Sequence, residues 1–371
     1  MTGKERLAFF LPGLYDGGAE RIMLNLVEGI AVRGYPVDLV LARAEGPFLN
    51  EVPNSVRLID LKASRVLSST PALVRYLRHE RPVALLSILY ANIIALWAKR
   101  LAGTPQRVIL GEHNTLSSVA RGENDPRWHL YPRLAEWFYP WADEIIAVSR
   151  GVADDLVQLI HIPRERIRVI NNPIVTPGLF EKSTALITHP WFKSGEPPVL
   201  LAVGRLTIQK AFDVLIRAFA RVRKDHRARL LILGEGEERH ALEALIKEYE
   251  LEQDVSMPGF FQNPYPFMAQ SAAFILSSRW EGLPTVMVEA MALGTPIIST
   301  DCPSGPREIL LDGEYGQLIP VDDPCALAAA ITTALTTNVH HPSRESWKSF
   351  ELECVLDQYI NTLLGIESCE K

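Results

Sequence analysis

Short apolar runs, each followed by a loop and an amphipathic stretch, recur along this chain and begin again near residue 199. That alternation is the pattern of parallel sheets covered by helices. In the first half the strand-like runs are Leu7–Leu14, Val37–Ala42, Ala84–Leu89, Val108–His113, Glu144–Ser149 and Ile167–Asn171. Between the first two, Ile22, Leu26 and Ile30 fall at i, i+4 and i+8, with Met23 and Val27 alongside, which predicts a helix. The second half offers Val199–Val203, Leu230–Leu233, Ala273–Leu276, Pro296–Thr300 and Gln317–Val321, and a helix with Phe212, Leu215, Phe219 and Val222 on one face. Residues 172–197, rich in Pro, Thr, Gly and Ser, read as a linker with no core of its own.

The chain is therefore expected to be α/β, with two doubly wound parallel-sheet domains facing a cleft. The boundaries drawn are 1–175 and 176–344, and a C-terminal helix at about 345–371 is a candidate to pack back on the first domain. A length of 371 residues suits two domains of that size. In such sheets ligands sit beyond the carboxyl ends of the strands, so chemistry is sought in the loops that follow strands.

Composition narrows the setting. The four cysteines, Cys302, Cys325, Cys354 and Cys369, lie late in the chain without Cys-x-x-Cys spacing. That argues against a zinc site or disulfide framework and fits a reducing cytoplasm. The apolar run at the N-terminus lacks a cleavage pattern. The stretch Ala84–Ala98 is 15 residues and is interrupted by Ser87 and Asn92, where a membrane span needs about 20. A cytoplasmic protein, at most peripheral on the membrane, is expected. Residues 1–185 hold 22 Lys+Arg against 19 Asp+Glu, a balance of +3, which leaves 16 against 25, or −9, for the remainder. A basic first half suits an anionic surface or substrate, although halves of a chain also differ by chance. Arg65, Arg75, Arg78 and Arg81 among apolar residues, and the aromatic stretch Trp128, Tyr131, Trp137, Phe138, Tyr139 and Trp141, suggest contact with an anionic membrane. Ordinary helix faces and core packing are the plainer readings.

Loops at strand ends carry the candidate chemistry, four in the second half and two in the first. In Val203-Gly204-Arg205-Leu206-Thr207-Ile208-Gln209-Lys210, Gly204 permits a close turn, and Arg205 and Lys210 are two cations able to neutralise a diphosphate, or else solvated loop charges. In Ser278-Arg279-Trp280-Glu281-Gly282-Leu283-Pro284-Thr285, Pro284 stands where a helix can start, and free N–H groups around 283–285 can receive phosphate oxygens. Glu281 and Glu289, eight residues apart, can accept hydrogen bonds from one polyol ligand. The alternatives are a local cap for Glu281 and a surface position for Glu289, but the apolar neighbours of Glu289 demand a partner for its carboxylate. Leu233-Gly234-Glu235-Gly236 and Met257-Pro258-Gly259-Phe260 are weaker, each equally a turn. In the first half, Gly17-Gly18 at a helix N-terminus suits phosphate contact but lacks dinucleotide or P-loop spacing. His113 ends a strand and should point into the cleft, or be an ordinary core histidine.

These elements, in this order, resemble the retaining glycosyltransferases of the GT-B fold, glycosyltransferase family 4. The most specific is the S-R-W-E-G-L-P-T-V-M-V-E-A-M-A-L-G-T-P segment holding Glu281-x7-Glu289; V-G-R-L-T-I-Q-K, L-G-E-G, I-A-V-S-R-G-V and I-N-N-P stand around it. The resemblance covers nearly the whole chain and implies two Rossmann-like domains, the first for an acceptor and the second for a nucleotide sugar. It implies that Arg205 and Lys210 hold the donor diphosphate, Glu289 the ribose, and Glu281 hydroxyls of the transferred sugar. Gly282, Leu283 and Pro284 would lie beside the sugar and phosphates, and Glu235, Gly236 and Phe260 near the base. Gly17 and Gly18 would meet the phosphate on closure, and His113 the donor sugar.

Departure of a nucleoside diphosphate builds negative charge that Arg205, Lys210 and helix N-terminal N–H groups can stabilise. No Asp-x-Asp occurs, so neither a metal nor another cofactor is expected. The segment Asp301–Leu310 resembles enzymes that extend lipid-linked glycans with hexose or N-acetylhexosamine, and a UDP-sugar is favoured over a GDP-sugar. Expected partners are the nucleotide-sugar donor and a glycan or lipid-linked acceptor, with no nucleic acid. A nucleotide-sugar 2-epimerase of the same fold and a non-catalytic glycan-binding accessory subunit are the alternatives.

Overall fold

The computed structural model describes residues 4–15, 17–117, 127–337 and 341–366. Asp16, the Trp128 side chain and Cys369 lie outside the described residues and side chains. The chain divides into one compact unit of residues 1–174 with 350–371 and a second of residues 175–349.

In the first unit seven parallel strands, β1 (Leu7–Leu11), β2 (Val37–Leu41), β3 (Arg57–Asp60), β4 (Ala84–Ile88), β5 (Arg107–Glu112), β6 (Glu144–Ala147) and β7 (Ile167–Val169), lie in the order β3-β2-β1-β4-β5-β6-β7. β1, β2 and β4 are buried at every position, as sheets covered on both faces require. The helix Gly18–Val32 turns Ile22, Met23, Leu26, Val27 and Ile30 inward. The C-terminal helix Leu352–Leu364 packs on it so closely that a Cβ at Gly29 would lie 2.8 Å from Leu356. At the start of the sheet the fully buried Asp38 accepts from Arg6 at 2.6 Å, Arg57 at 2.6 Å and Tyr76 at 2.7 Å. Burial alone would raise its carboxyl, but these partners outweigh burial and hold it lowered. Part of the basic excess of this half is thereby committed to structure.

In the second unit the strands are β8 (Val199–Val203), β9 (Arg229–Leu233), β10 (Val255–Gly259), β11 (Ala273–Leu276), β12 (Ile297–Thr300) and β13 (Gln317–Ile319). Their order, β10-β9-β8-β11-β12-β13, repeats the doubly wound pattern of the first unit. Phe212, Leu215, Phe219 and Val222 of the helix Phe212–Asp225 are buried in its core.

Two strands and one helix depart from the sequence reading. β3 is an edge strand whose residues are mostly exposed, so no apolar run announces it. β10 contains Pro258, which an edge position tolerates because no inner neighbour needs its missing N–H. The expected linker instead holds the helix Pro177–Ser183, with Pro177 at its first position and the Thr176 hydroxyl accepting from the Leu179 N–H at 3.3 Å. Leu179 is buried, and Phe192 meets Phe267 edge-on at 5.5 Å, so this segment belongs to the core of the second unit. Pro284 stands just before its helix, Thr285–Ala292, rather than at the first helical position.

Candidate active site

In each sheet the strand order reverses direction once, between β1 and β4 and between β8 and β11. Crevices beyond the carboxyl ends at such points are where open α/β sheets bind ligands.

In the second unit the loops after β8 and β11 bring Lys210 and Glu281 together. The Lys210 ammonium lies 2.6 Å from Glu281 Oε1, and the same oxygen accepts from the Ser278 hydroxyl at 2.6 Å. The Glu281 side chain is 7% exposed and that of Lys210 15%, so this is a largely desolvated ion pair. Its carboxylate is held on one oxygen by two donors. The Lys210 stem runs over Gly204, where an added Cβ would lie 3.2 Å from its Cε. Arg205, in the same loop, is exposed.

The loops after β8, β9 and β10 stack beside one another. Gly204 N–H donates to Leu233 O at 3.0 Å, Leu206 N–H to Glu235 O at 2.8 Å, and Gly234 N–H to Gly259 O at 2.9 Å. Gly234 takes a φ of 151°, and a Cβ there would stand 1.9 Å from the Gly204 carbonyl oxygen, so only glycine fits. A Cβ at Gly236 would meet Leu206 O at 2.3 Å. The Glu235 carboxylate is gripped by Arg239, at 2.7 and 2.8 Å, and Phe260 is 55% exposed beyond it.

Glu289 is buried on the helix Thr285–Ala292 and accepts from the Tyr265 hydroxyl at 3.3 Å. The loop 301–305 braces Gly282, Leu283 and Pro284: Glu281 N–H reaches Pro303 O at 3.3 Å and the Ser304 hydroxyl reaches Gly282 O at 2.9 Å. Among the described residues no group of three or more His, Cys, Asp or Glu stands ready to hold a metal ion.

In the first unit His113 follows β5 and is buried, with neither ring nitrogen hydrogen-bonded. Burial pushes its pKa down to about 4, so at neutral pH it is an uncharged ring able to donate to and accept from a hydroxyl. Its neighbour Glu112 is buried too, and its carboxyl is pushed up to about 7 by burial against the opposing pull of Tyr139 and Asn92. Asn92 donates to Glu112 at 2.8 Å, the Tyr139 hydroxyl bonds the same oxygen, and Tyr131 joins Tyr139 at 3.2 Å and Leu89 O at 3.3 Å. That chain supports Leu89, which has a left-handed φ of 58°. Beyond Leu89, Tyr90 is exposed at the switch point, as is Tyr15, whose hydroxyl donates to Glu45 at 2.5 Å.

Gly17 precedes the helix Gly18–Val32, and a Cβ there would lie 2.3 Å from the carboxylate of buried Glu20. The protein's own carboxylate thus lies close to this helix N-terminus.

Comparison with known proteins settles the family. Residues 186–350 match the glycosyl transferases group 1 profile, and residues 16–176 match that of glycosyltransferase family 4. An N-acetylgalactosaminyltransferase of Campylobacter jejuni, named for N-acetylgalactosamine-N,N'-diacetylbacillosaminyl-diphospho-undecaprenol, is 31% identical across 89% of this chain and 90% of its own. The chain belongs to the group 1 glycosyltransferases.

The lipopolysaccharide core biosynthesis glycosyltransferase LpsE of Rhizobium meliloti is 27% identical over 94% of this chain and 96% of its own. Among solved structures, Anabaena HepE with UDP-glucose aligns with a TM-score of 0.78 at 20% identity, over 97% of this chain and 100% of its own. The apo galactosyltransferase WaaB aligns at 0.72 with 21% identity, over 97% of this chain and 99% of its own. This glycosyltransferase therefore has the two parallel-sheet α/β domains of the GT-B fold.

Within this group 1 glycosyltransferase two residues of the candidate site escape a reading of the sequence. Ser278, three residues before Glu281, and Tyr265, on another helix, supply hydrogen bonds to the two carboxylates. Ser278 lies inside the Glu281 motif, and that proximity is a usable signal; nothing in the sequence ties Tyr265 to Glu289.

Proposed function

We propose that this chain is a retaining, metal-independent hexosyltransferase. It moves a hexose or N-acetylhexosamine from a nucleotide sugar, a UDP-sugar in preference to a GDP-sugar, to a glycan or lipid-linked glycan of envelope polysaccharide or glycoconjugate synthesis. The observation that carries this reading is the desolvated Lys210–Glu281 pair at the β8/β11 switch point. A diphosphate arriving there displaces Glu281 as the partner of Lys210 and gains Arg205 as a second cation. The released Glu281 accepts hydroxyls of the sugar, and Glu289 accepts those of the ribose. Charge that develops on the leaving diphosphate meets donors already in place, without a metal. Retention follows if the acceptor oxygen attacks on the face the diphosphate leaves, with no enzyme nucleophile.

The relatives support the substrate classes. The Campylobacter jejuni enzyme is named for a diphospho-undecaprenol acceptor, the Rhizobium meliloti one for lipopolysaccharide core synthesis, and HepE is solved with UDP and with UDP-glucose. In the first unit, neutral His113 suits a hydroxyl of the donor sugar, and the exposed rings of Tyr15 and Tyr90 suit a sugar of the acceptor.

No helix among the described residues is long and apolar enough to cross a membrane. Peripheral contact with an anionic cytoplasmic leaflet is supported by exposed Arg65, Arg75, Trp137 and Trp141. Arg78 instead hydrogen-bonds the carbonyls of Leu101 and Ala102, and Tyr139 is core.

Transfer assayed from UDP-sugars to a polyprenyl-diphosphate glycan in vesicles, with EDTA throughout, tests the whole reading. Label should enter the lipid glycan with the donor's anomeric configuration, faster on anionic than on neutral vesicles, and the advantage should shrink with salt. Activity lost in EDTA and restored by magnesium would overturn the metal-free charge argument. Donor converted to an epimer without acceptor would replace transfer by isomerisation.

A further inference from the structure

Lys210 sits on a single short turn with two backbone bonds of its own, Lys210 N–H to Thr207 O at 3.1 Å and Ala211 N–H to Ile208 O at 3.3 Å. Residues Ile208–Lys210 form a single 3-10 turn, and Ala211 after it takes a left-handed φ of 49°, which alanine adopts at a cost. Further bonds to the turn come from the other side of the switch point. Arg279 Nη1 donates to Ile208 O at 2.7 Å, and the Arg279 N–H donates to Gln209 O at 2.8 Å. Gln209 Nε2 returns a bond to Trp280 O at 2.9 Å, and the Ser277 hydroxyl reaches Lys210 O at 2.7 Å.

The guanidinium is itself aimed by two carboxylates. Its Nε donates to Asp322 at 2.8 Å, just beyond β13, and its Nη2 to both oxygens of Asp213 at 3.2 and 3.3 Å, in the first turn of the helix Phe212–Asp225. One planar fork thus ties the segments after β8, β11 and β13, and the chain two residues further on supplies Glu281, the partner of Lys210.

We propose that Arg279 is a positioning residue for transfer: it sets the Lys210 turn, and through it the ammonium that stabilises the departing diphosphate. The proposal rests on the reading of Lys210 given above. Arg279 acts through geometry, because its charge is spent on Asp213 and Asp322. A lysine at this position offers one compact ammonium in place of the three separated nitrogens by which the planar guanidinium reaches Ile208 O, Asp213 and Asp322. Misplacement of a catalytic group by about 1 Å can cost on the order of 100-fold in rate. The backbone bonds survive side-chain removal, so a smaller loss is expected.

A double-mutant cycle between Arg279 and Lys210 tests this, read as kcat at saturating donor. Arg279→Ala should lower kcat about 10-fold or more in the wild-type background, and less than about 2-fold when Lys210 is already alanine. Arg279→Lys should behave like Arg279→Ala, with thermal melting showing both variants folded. If Arg279→Ala does not fold, Asp322→Asn, which removes the charge from one anchor of the guanidinium at an exposed carboxylate, should show a smaller loss with the same dependence on Lys210. An equal loss in both backgrounds, no loss at all, or full rescue by lysine would overturn the proposal. A Lys210→Ala enzyme of normal kcat would instead sink the reading of Lys210 itself, and this inference with it.

Discussion

Lys210→Ala should lower turnover by about 100- to 1,000-fold, the scale of removing one preorganised charge-stabilising donor. The substitution removes the cation proposed to face the leaving diphosphate and also strands Glu281, whose other side-chain donor at that oxygen among the described residues is Ser278. Breaking a buried pair on one side costs stability as well, about 3–5 kcal/mol where burial is complete. The melting temperature should therefore fall. The Lys210→Ala/Glu281→Gln double variant separates the two effects: it should regain much of the stability and none of the rate. Kinetics at saturating donor alongside thermal melts read both. Recovery of turnover in the double variant would mean that Lys210 serves only to neutralise Glu281.

Glu281→Ala should behave differently from a simple loss of binding. Without its carboxylate the Lys210 ammonium no longer has to exchange one anion for another when a diphosphate arrives. UDP affinity should then hold or rise. Turnover should fall on the order of 100-fold, because Glu281 is proposed to hold the sugar hydroxyls while the sugar is transferred. Calorimetry with UDP and single-turnover kinetics with the full donor distinguish the two. Weaker UDP binding with normal turnover would show that Glu281 serves the nucleotide rather than the sugar.

The fold is legible in the sequence because both sheets are buried on both faces, so their inner strands are continuous apolar runs that restart at Val199. Two of the edge strands lack that mark, the mostly exposed Arg57–Asp60 and the Pro258-containing Val255–Gly259, and these escape notice. Proline misleads at Pro177, where it begins a helix that only the capping geometry distinguishes from a linker; at Pro284 the expected helix is present and begins one residue later. Within the candidate site the sequence points to Lys210 and Glu281 separately. Their pairing depends on β8 and β11 being neighbours despite lying about 70 residues apart, a fact of sheet order rather than of local pattern. The closeness of Glu20 to Gly17 is likewise invisible in the sequence, since it follows from a side chain folding back on its own helix.

UDP titrated calorimetrically into the wild-type protein and into Glu289→Ala tests the account most directly, because it asks whether the 175–349 unit binds a nucleotide where these carboxylates lie. Glu289 is buried beside apolar neighbours with the Tyr265 hydroxyl at 3.3 Å, a setting suited to ribose hydroxyls. Charge-assisted hydrogen bonds of this kind contribute about 1.5–3 kcal/mol, so the variant should bind UDP about 10- to 150-fold more weakly. Equal affinity in the two proteins, or no binding of UDP to the wild type, would contradict it.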